Sequence, residues 1–215
     1  MDLDMWKCGL KRWLCGAILG VATFTAFAAV PQKILIIGDS LSAEYGIARG
    51  TGWVALLEQK LAHEKISATV VNASISGETT SGGLSRLPAL LTQHKPNIVV
   101  VELGGNDALR GMVMSQTEKN FSQLVHLSQK AGAKVLLLGM QVPPNMGPTY
   151  AREFSAIYIR VAQNQKVSLV PFFLKGVADT SNARELFQND GIHPLAVAHP
   201  QLLKNTWPEL KKMLK

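Results

Sequence analysis

Cysteine is almost absent from this sequence: the two present, Cys8 and Cys15, both fall within the first 28 residues. If that segment is removed on export, the remaining chain has no thiol. Cysteine nucleophiles, cysteine metal sites and disulfides are then excluded. Long hydrophobic runs are equally scarce. The one that stands out, Trp13 to Phe27, follows Lys7, Lys11 and Arg12 and runs into the small residues Ala26, Ala28 and Ala29. It is shorter than the roughly 20 residues that span a bilayer. These three zones read as a secretory signal peptide over residues 1–28, with Ala26-Phe27-Ala28 directing cleavage before Ala29. A periplasmic or secreted location follows, with no stable membrane insertion after cleavage.

Clustered positive charge is missing too. Removing Lys7, Lys11, Arg12, Asp2 and Asp4 with the leader lowers the formal net charge of +7 by one, and the remaining basic residues are scattered. The short cluster Lys211, Lys212 and Lys215 has none of the interleaved aromatics of a nucleic-acid-binding stripe, so no nucleic-acid partner is expected. Attraction to anionic lipid surfaces is a weaker reading of the same charge. His63, His94, His126 and His199 lack metal-ligand spacing and have no cysteine to support them, so no metal is expected. Neither internal repeats nor low-complexity linkers interrupt the chain. Residues 29–215 are expected to form one domain.

What the sequence does hold is alternation. Short Val/Ile/Leu-rich runs at Ile34–Ile37, Ala68–Val71, Ile98–Val101, Val135–Leu138 and Ser168–Val170 alternate with segments of helical period. Such runs read as strands buried on both faces. Between them Trp53, Leu56, Leu57 and Leu61 share a helical face, as do Leu84, Leu87 and Leu91, and Tyr150, Phe154, Ile157 and Val161. Ser115 and Glu118 are spaced as a capping box ahead of Phe121, Leu124, Val125 and Ser128. Leu203, Trp207, Leu210 and Leu214 mark a last helix. The expected fold is α/β: a three-layer α/β/α, flavodoxin-like domain with a parallel sheet of about five strands.

In such a sheet, ligands bind beyond the carboxyl ends of the strands. Polar segments stand at those places. Gly38-Asp39-Ser40-Leu41-Ser42 follows the first strand as a tight turn leading towards a helix, where a serine hydroxyl can face a cleft and its own N–H stays free. Asn72 to Gly77 follows the second and Gly104-Gly105-Asn106-Asp107 the third, offering hydrogen-bond donors to a developing oxyanion. Asp190-Gly191-Ile192-His193-Pro194 lies beyond the fifth, with a spacing that lets a carboxylate fix one imidazole nitrogen while the other faces the serine. Taken singly, each is also an ordinary turn. Asp39 and Asp107 flank motif residues and compete with Asp190 for the role of orienting carboxylate, although neither has its spacing to His193.

Together these segments resemble the SGNH, or GDSL, serine hydrolase family, named for its Ser, Gly, Asn and His blocks. With Arg86 to Leu91 added, the sequence is similar to the periplasmic thioesterase, lysophospholipase and arylesterase branch of Gram-negative bacteria. The resemblance implies Ser40 as nucleophile, His193 as general base and Asp190 as its orienter. It implies the Ser40 N–H, the Gly77 N–H and Asn106 as oxyanion donors. It further implies hydrolysis of acyl esters or thioesters, lysophospholipids among the candidates, by a monomer without a cofactor. The branch usually has glycine where this chain has Glu44. Leu109, Met112, Met140 and Pro143, on segments after the third and fourth strands, are candidate acyl-binding residues, and residues 108–113 form a loop that the family suggests can shift with substrate. A rival class, a non-catalytic carbohydrate- or lipid-binding module, would normally have lost a triad member; here all are present.

Overall fold

The run Gln32–Gly38, with the large apolar residues Ile34, Leu35, Ile36 and Ile37 at its centre, forms strand β1 and is buried from Ile34 onward. Helix α1 (Trp53–His63), strand β2 (Ala68–Asn72), helix α2 (Thr80–His94) and strand β3 (Ile98–Glu102) follow. Next come the short α3 (Gly105–Leu109), the long α4 (Met114–Lys130), β4 (Lys134–Leu138), α5 (Pro148–Gln165), β5 (Ser168–Val170), the short α6 (Ala183–Leu186) and α7 (His199–Met213). This is a computed structural model that describes residues 31–214, so the leader expected at 1–28 lies outside it. Among the described residues no helix is long and apolar enough to cross a membrane.

All five strands are parallel, in the order β2-β1-β3-β4-β5. Helices α1 and α7 pack together on one side, while α2, α4 and α5 form a layer on the other. The expected three-layer, flavodoxin-like fold is therefore the observed one. In this order the chain reverses direction across the sheet between β1 and β3, which opens a crevice at their carboxyl ends. Gly38 lies in register with Glu102 there, so the turn after β1 and the loop after β3 begin side by side.

Three local expectations need correction. Burial on both faces holds for β1, β3 and β4, but β2 and β5 are edge strands and mostly half-buried. In α7 the buried stripe is His199, Leu202, Thr206, Leu210 and Met213 rather than the line through Leu203 and Trp207, because a buried Thr and His stand in for apolar residues. Ser115 and Glu118 form no capping box: α4 starts at Met114 after Val113, with no side-chain cap. Glu118 instead binds Arg160 of α5 at 2.7 Å, joining two helices of the outer layer.

Candidate active site

Ser40 sits one residue beyond Asp39 in the turn that leaves β1, and it is 9% exposed. The turn does not run directly into a helix, since α1 begins only at Trp53. It is closed by the Ala43 and Tyr45 N–H groups donating to the Asp39 and Ser40 carbonyls at 3.0 and 3.2 Å. The Asn72 amide braces it from β2, donating to the Ser42 carbonyl at 2.7 Å. Gly38 is required by close approach: a Cβ there would lie 2.8 Å from both Glu102 Oε2 and Ser42 Oγ.

The loop from Phe187 to Pro194 brings His193 to the serine. An isolated antiparallel bridge joins Phe187 to Pro194, and the Gln188 N–H donates to the His193 carbonyl at 2.8 Å. Asp190 Oδ1 accepts the Ile192 and His193 backbone N–H groups at 2.9 and 3.0 Å. Its Oδ2 lies 2.7 Å from His193 Nδ1, and His193 Nε2 lies 2.9 Å from Ser40 Oγ. A carboxylate can only accept, so Nδ1 carries the proton and Nε2 is left to accept from the serine hydroxyl. The Tyr45 ring packs on the imidazole with centroids 4.4 Å apart. Burial alone would raise the Asp190 pKa, but the bonds from the His193 N–H and ring and the Ile192 N–H outweigh it and hold the carboxyl at about 2.

Donors for an oxyanion lie around Ser40. The Ser40 and Gly77 N–H groups have no protein acceptor among the described residues. Gly77 adopts a φ of +78°, which a side chain would strain, and its carbonyl accepts from Arg110 at 2.9 Å. Its loop is held against the serine turn where the Ile75 N–H donates to the Gly38 carbonyl at 3.0 Å. Asn106, on α3, donates one amide hydrogen to Asp39 Oδ2 at 3.0 Å and keeps the other.

Ser40, Asn106, Asp190 and His193 line a cleft of about 880 Å³. Of the expected acyl-binding residues, Leu109, Met140 and Pro143 line it and Met112 does not; Gly77, expected as an oxyanion donor, is also outside the lining. Met112 is turned back on α3 by its N–H bond to the Asp107 carbonyl at 2.9 Å. Val142, from the same segment as Met140 and Pro143, adds to the apolar wall, and sequence reasoning missed Phe172, Leu174, Phe187 and Ile192, which extend it. Phe172, Leu174 and Phe187 carry no motif, and Ile192 stands in the Asp190 to Pro194 segment, which was read only for its Asp and His; position after β5 was the available signal.

The competing aspartates have other work. Asp107 is buried and accepts from the Thr80 N–H at 2.9 Å and from the Thr80 hydroxyl, anchoring the start of α2. Asp39 is buried beside Glu102, and burial raises both carboxyls, Asp39 to about 6 and Glu102 well above its usual range.

Residues 36–199 match the model of the GDSL-like Lipase/Acylhydrolase family. The chain belongs to this family. It is accordingly a serine hydrolase of carboxylic esters. Esterase TesA of Pseudomonas aeruginosa is 49% identical over 205 residues, covering 95% of this chain and all of that protein. Thioesterase 1/protease 1/lysophospholipase L1 of Escherichia coli K12 is 45% identical over 190 residues, 88% of each chain. The crystal structure of a TesA superposes with a TM-score of 0.81 at 52% identity, covering 85% of this chain and 99% of that one. Glu44 stands where the sequence resemblance leads to an expectation of glycine. It holds a left-handed φ of +60°, and its carboxylate accepts the Gly50 and Gly52 N–H groups at 2.9 and 2.8 Å.

Proposed function

We propose that Ser40 attacks the acyl carbonyl of an ester or thioester while His193 takes its proton and Asp190 holds the imidazole. The observation that carries this is the unbroken line from Asp190 Oδ2 through His193 to Ser40 Oγ, with links of 2.7 and 2.9 Å. The Ser40 N–H, the Gly77 N–H and the free Asn106 hydrogen receive the oxyanion of the tetrahedral intermediate. His193 returns its proton to the departing alcohol or thiol, leaving an acyl-serine. Water, activated by the same imidazole, then releases the acid. No cofactor enters any step.

The mostly apolar cleft wall suits an acyl chain, and the absence of a long insertion over its mouth suits varied leaving groups. Acyl thioesters and lysophospholipids are substrate classes in keeping with the name of the Escherichia coli relative, and aryl esters are a further class that the same acyl chemistry serves. The leader over residues 1–28 delivers residues 29–215 to the periplasm, where cytosolic acyl-CoA is out of reach. A fluorophosphonate probe tests the nucleophile: covalent labelling is expected of the wild type and none of Ser40→Ala. Equal labelling of both would remove Ser40 from the role.

A further inference from the structure

Two carboxylates lie directly beneath the nucleophile, and the reaction as described uses neither. Asp39 is 3% exposed and Glu102 fully buried, and no Lys or Arg forms a salt bridge with either among the described residues. They are close neighbours, since the backbone N–H of Asp39 itself donates to Glu102 Oε2 at 3.2 Å. Two neighbouring buried charges of one sign without a counter-ion are too costly to persist, so one group keeps its proton.

The donors decide which. Asp39 receives an N–H on each oxygen: the Leu41 backbone on Oδ1 and the Asn106 amide on Oδ2, both at 3.0 Å. Glu102 receives both of its donors on Oε2, the Ser42 hydroxyl at 2.7 Å and the Asp39 N–H at 3.2 Å. Its Oε1 is buried without a partner. An anionic oxygen left bare costs far more than a neutral one, so the proton belongs on Glu102.

We propose that Asp39 is a positioning residue of the hydrolysis: its carboxylate carries the single charge of the pair and grips the Asn106 amide, while Glu102 is the neutral partner. This rests on the reading of Ser40, Asn106 and His193 given above. Because a carboxylate only accepts, Asp39 fixes which end of the Asn106 amide faces it and leaves the second N–H for the oxyanion. Its charge also favours the imidazolium that forms when His193 takes the serine proton. The groups facing Asp39 are Glu102 from β3, Asn106 from α3, His193 from its loop and Tyr158 from α5. Asp39 gains its proton as pH falls through about 6, and both effects then weaken.

Asp39→Asn tests this at nearly constant volume. One amide oxygen cannot serve both the Leu41 N–H and Asn106, so a grip is lost along with the charge. For hydrolysis of a short p-nitrophenyl ester, kcat is expected to fall about 10- to 100-fold with KM little changed. The acid limb of kcat/KM should fall more steeply than a single ionisation in the wild type and as one ionisation in Asp39→Asn. Glu102→Gln, which mimics the neutral acid, should keep the steep limb. Asn106→Ala should cost less in the Asp39→Asn background than alone. An unchanged limb in Asp39→Asn, full additivity with Asn106→Ala, or loss of the steep limb in Glu102→Gln would each overturn the assignment. Fluorophosphonate labelling separates the two readings. A labelled wild type with an unaltered Asp39→Asn profile removes only the positioning role, whereas an unlabelled wild type removes the nucleophile and this proposal with it.

Discussion

Asn106 bears the most specific prediction among single residues, because its side chain is the one proposed oxyanion donor that mutation can delete. Asn106→Ala should lower kcat about 100- to 1,000-fold with KM little changed, since the bond strengthens only as the carbonyl oxygen becomes negative. A fully active variant, measured by steady-state hydrolysis, would remove it from the oxyanion site. Glu44 shows a different balance. Its left-handed backbone is strained, and its carboxylate compensates by closing the loop to Gly50 and Gly52, just before Tyr45 places its ring on His193. Glu44→Ala keeps the strain and loses the bonds, so denaturation should show a loss of about 1 to 2 kcal/mol. Glu44→Gly, free of the strain, should lose less; the reverse order would show that the bonds do not offset it. Ser40, Asp190 and His193, the proposed triad that the structure brings within hydrogen-bond distance, are legible in sequence through their motif order and the three-residue spacing of Asp190 and His193. Asp39 is legible only as a turn residue. Its burial against Glu102 depends on the register of β1 with β3, which no local pattern reveals.

Among the elements, α7 and α1 are joined by a contact that the pattern of apolar residues hides. His199 is buried at the start of α7, and its Nδ1 accepts the Trp53 N–H at 3.0 Å, capping α1 from another helix. Burial lowers its pKa below 6.5, against the opposing pull of the Pro194 carbonyl and Glu44. The unfolded chain therefore takes up a proton before the folded one does. The stability that this histidine contributes is complete above pH 6.5 and declines as pH falls below it. His199→Phe should lower Tm at pH 8 and narrow the gap to wild type at pH 5.5; a gap that widens on acidification would contradict the neutral, accepting imidazole. The same residue explains why the buried stripe of α7 was misread, since His199 and Thr206 occupy core positions that hydrophobicity assigns to the surface. Strand positions were legible because β1, β3 and β4 each hold four consecutive apolar residues, Ile34–Ile37, Ile98–Val101 and Val135–Leu138. The partial exposure of β2 and β5 was not, because edge position is a property of strand order and not of composition.

At the scale of the whole molecule, the sheet order explains why residues far apart in sequence meet. The reversal between β1 and β3 brings the serine turn beside the Asn106 loop, and the segment after β5 crosses the open end of the sheet to present His193. Alternating strands and helices made the layered fold readable, and motif residues after successive strands made the site's location readable. The cleft's apolar lining was less so, because Phe172, Leu174 and Phe187 acquire their role only when the loops after β4 and β5 fold over one another. The most direct test of the central claim is hydrolysis of a p-nitrophenyl ester series, from acetate to palmitate, by residues 29–215 and by the Ser40→Ala variant. Turnover by the wild type with a fall of at least about 10⁴-fold in the variant is expected, the chain-length profile then reporting on the cleft. A variant within tenfold of the wild type, or no wild-type turnover above buffer on any ester, would contradict a hydrolase built on Ser40.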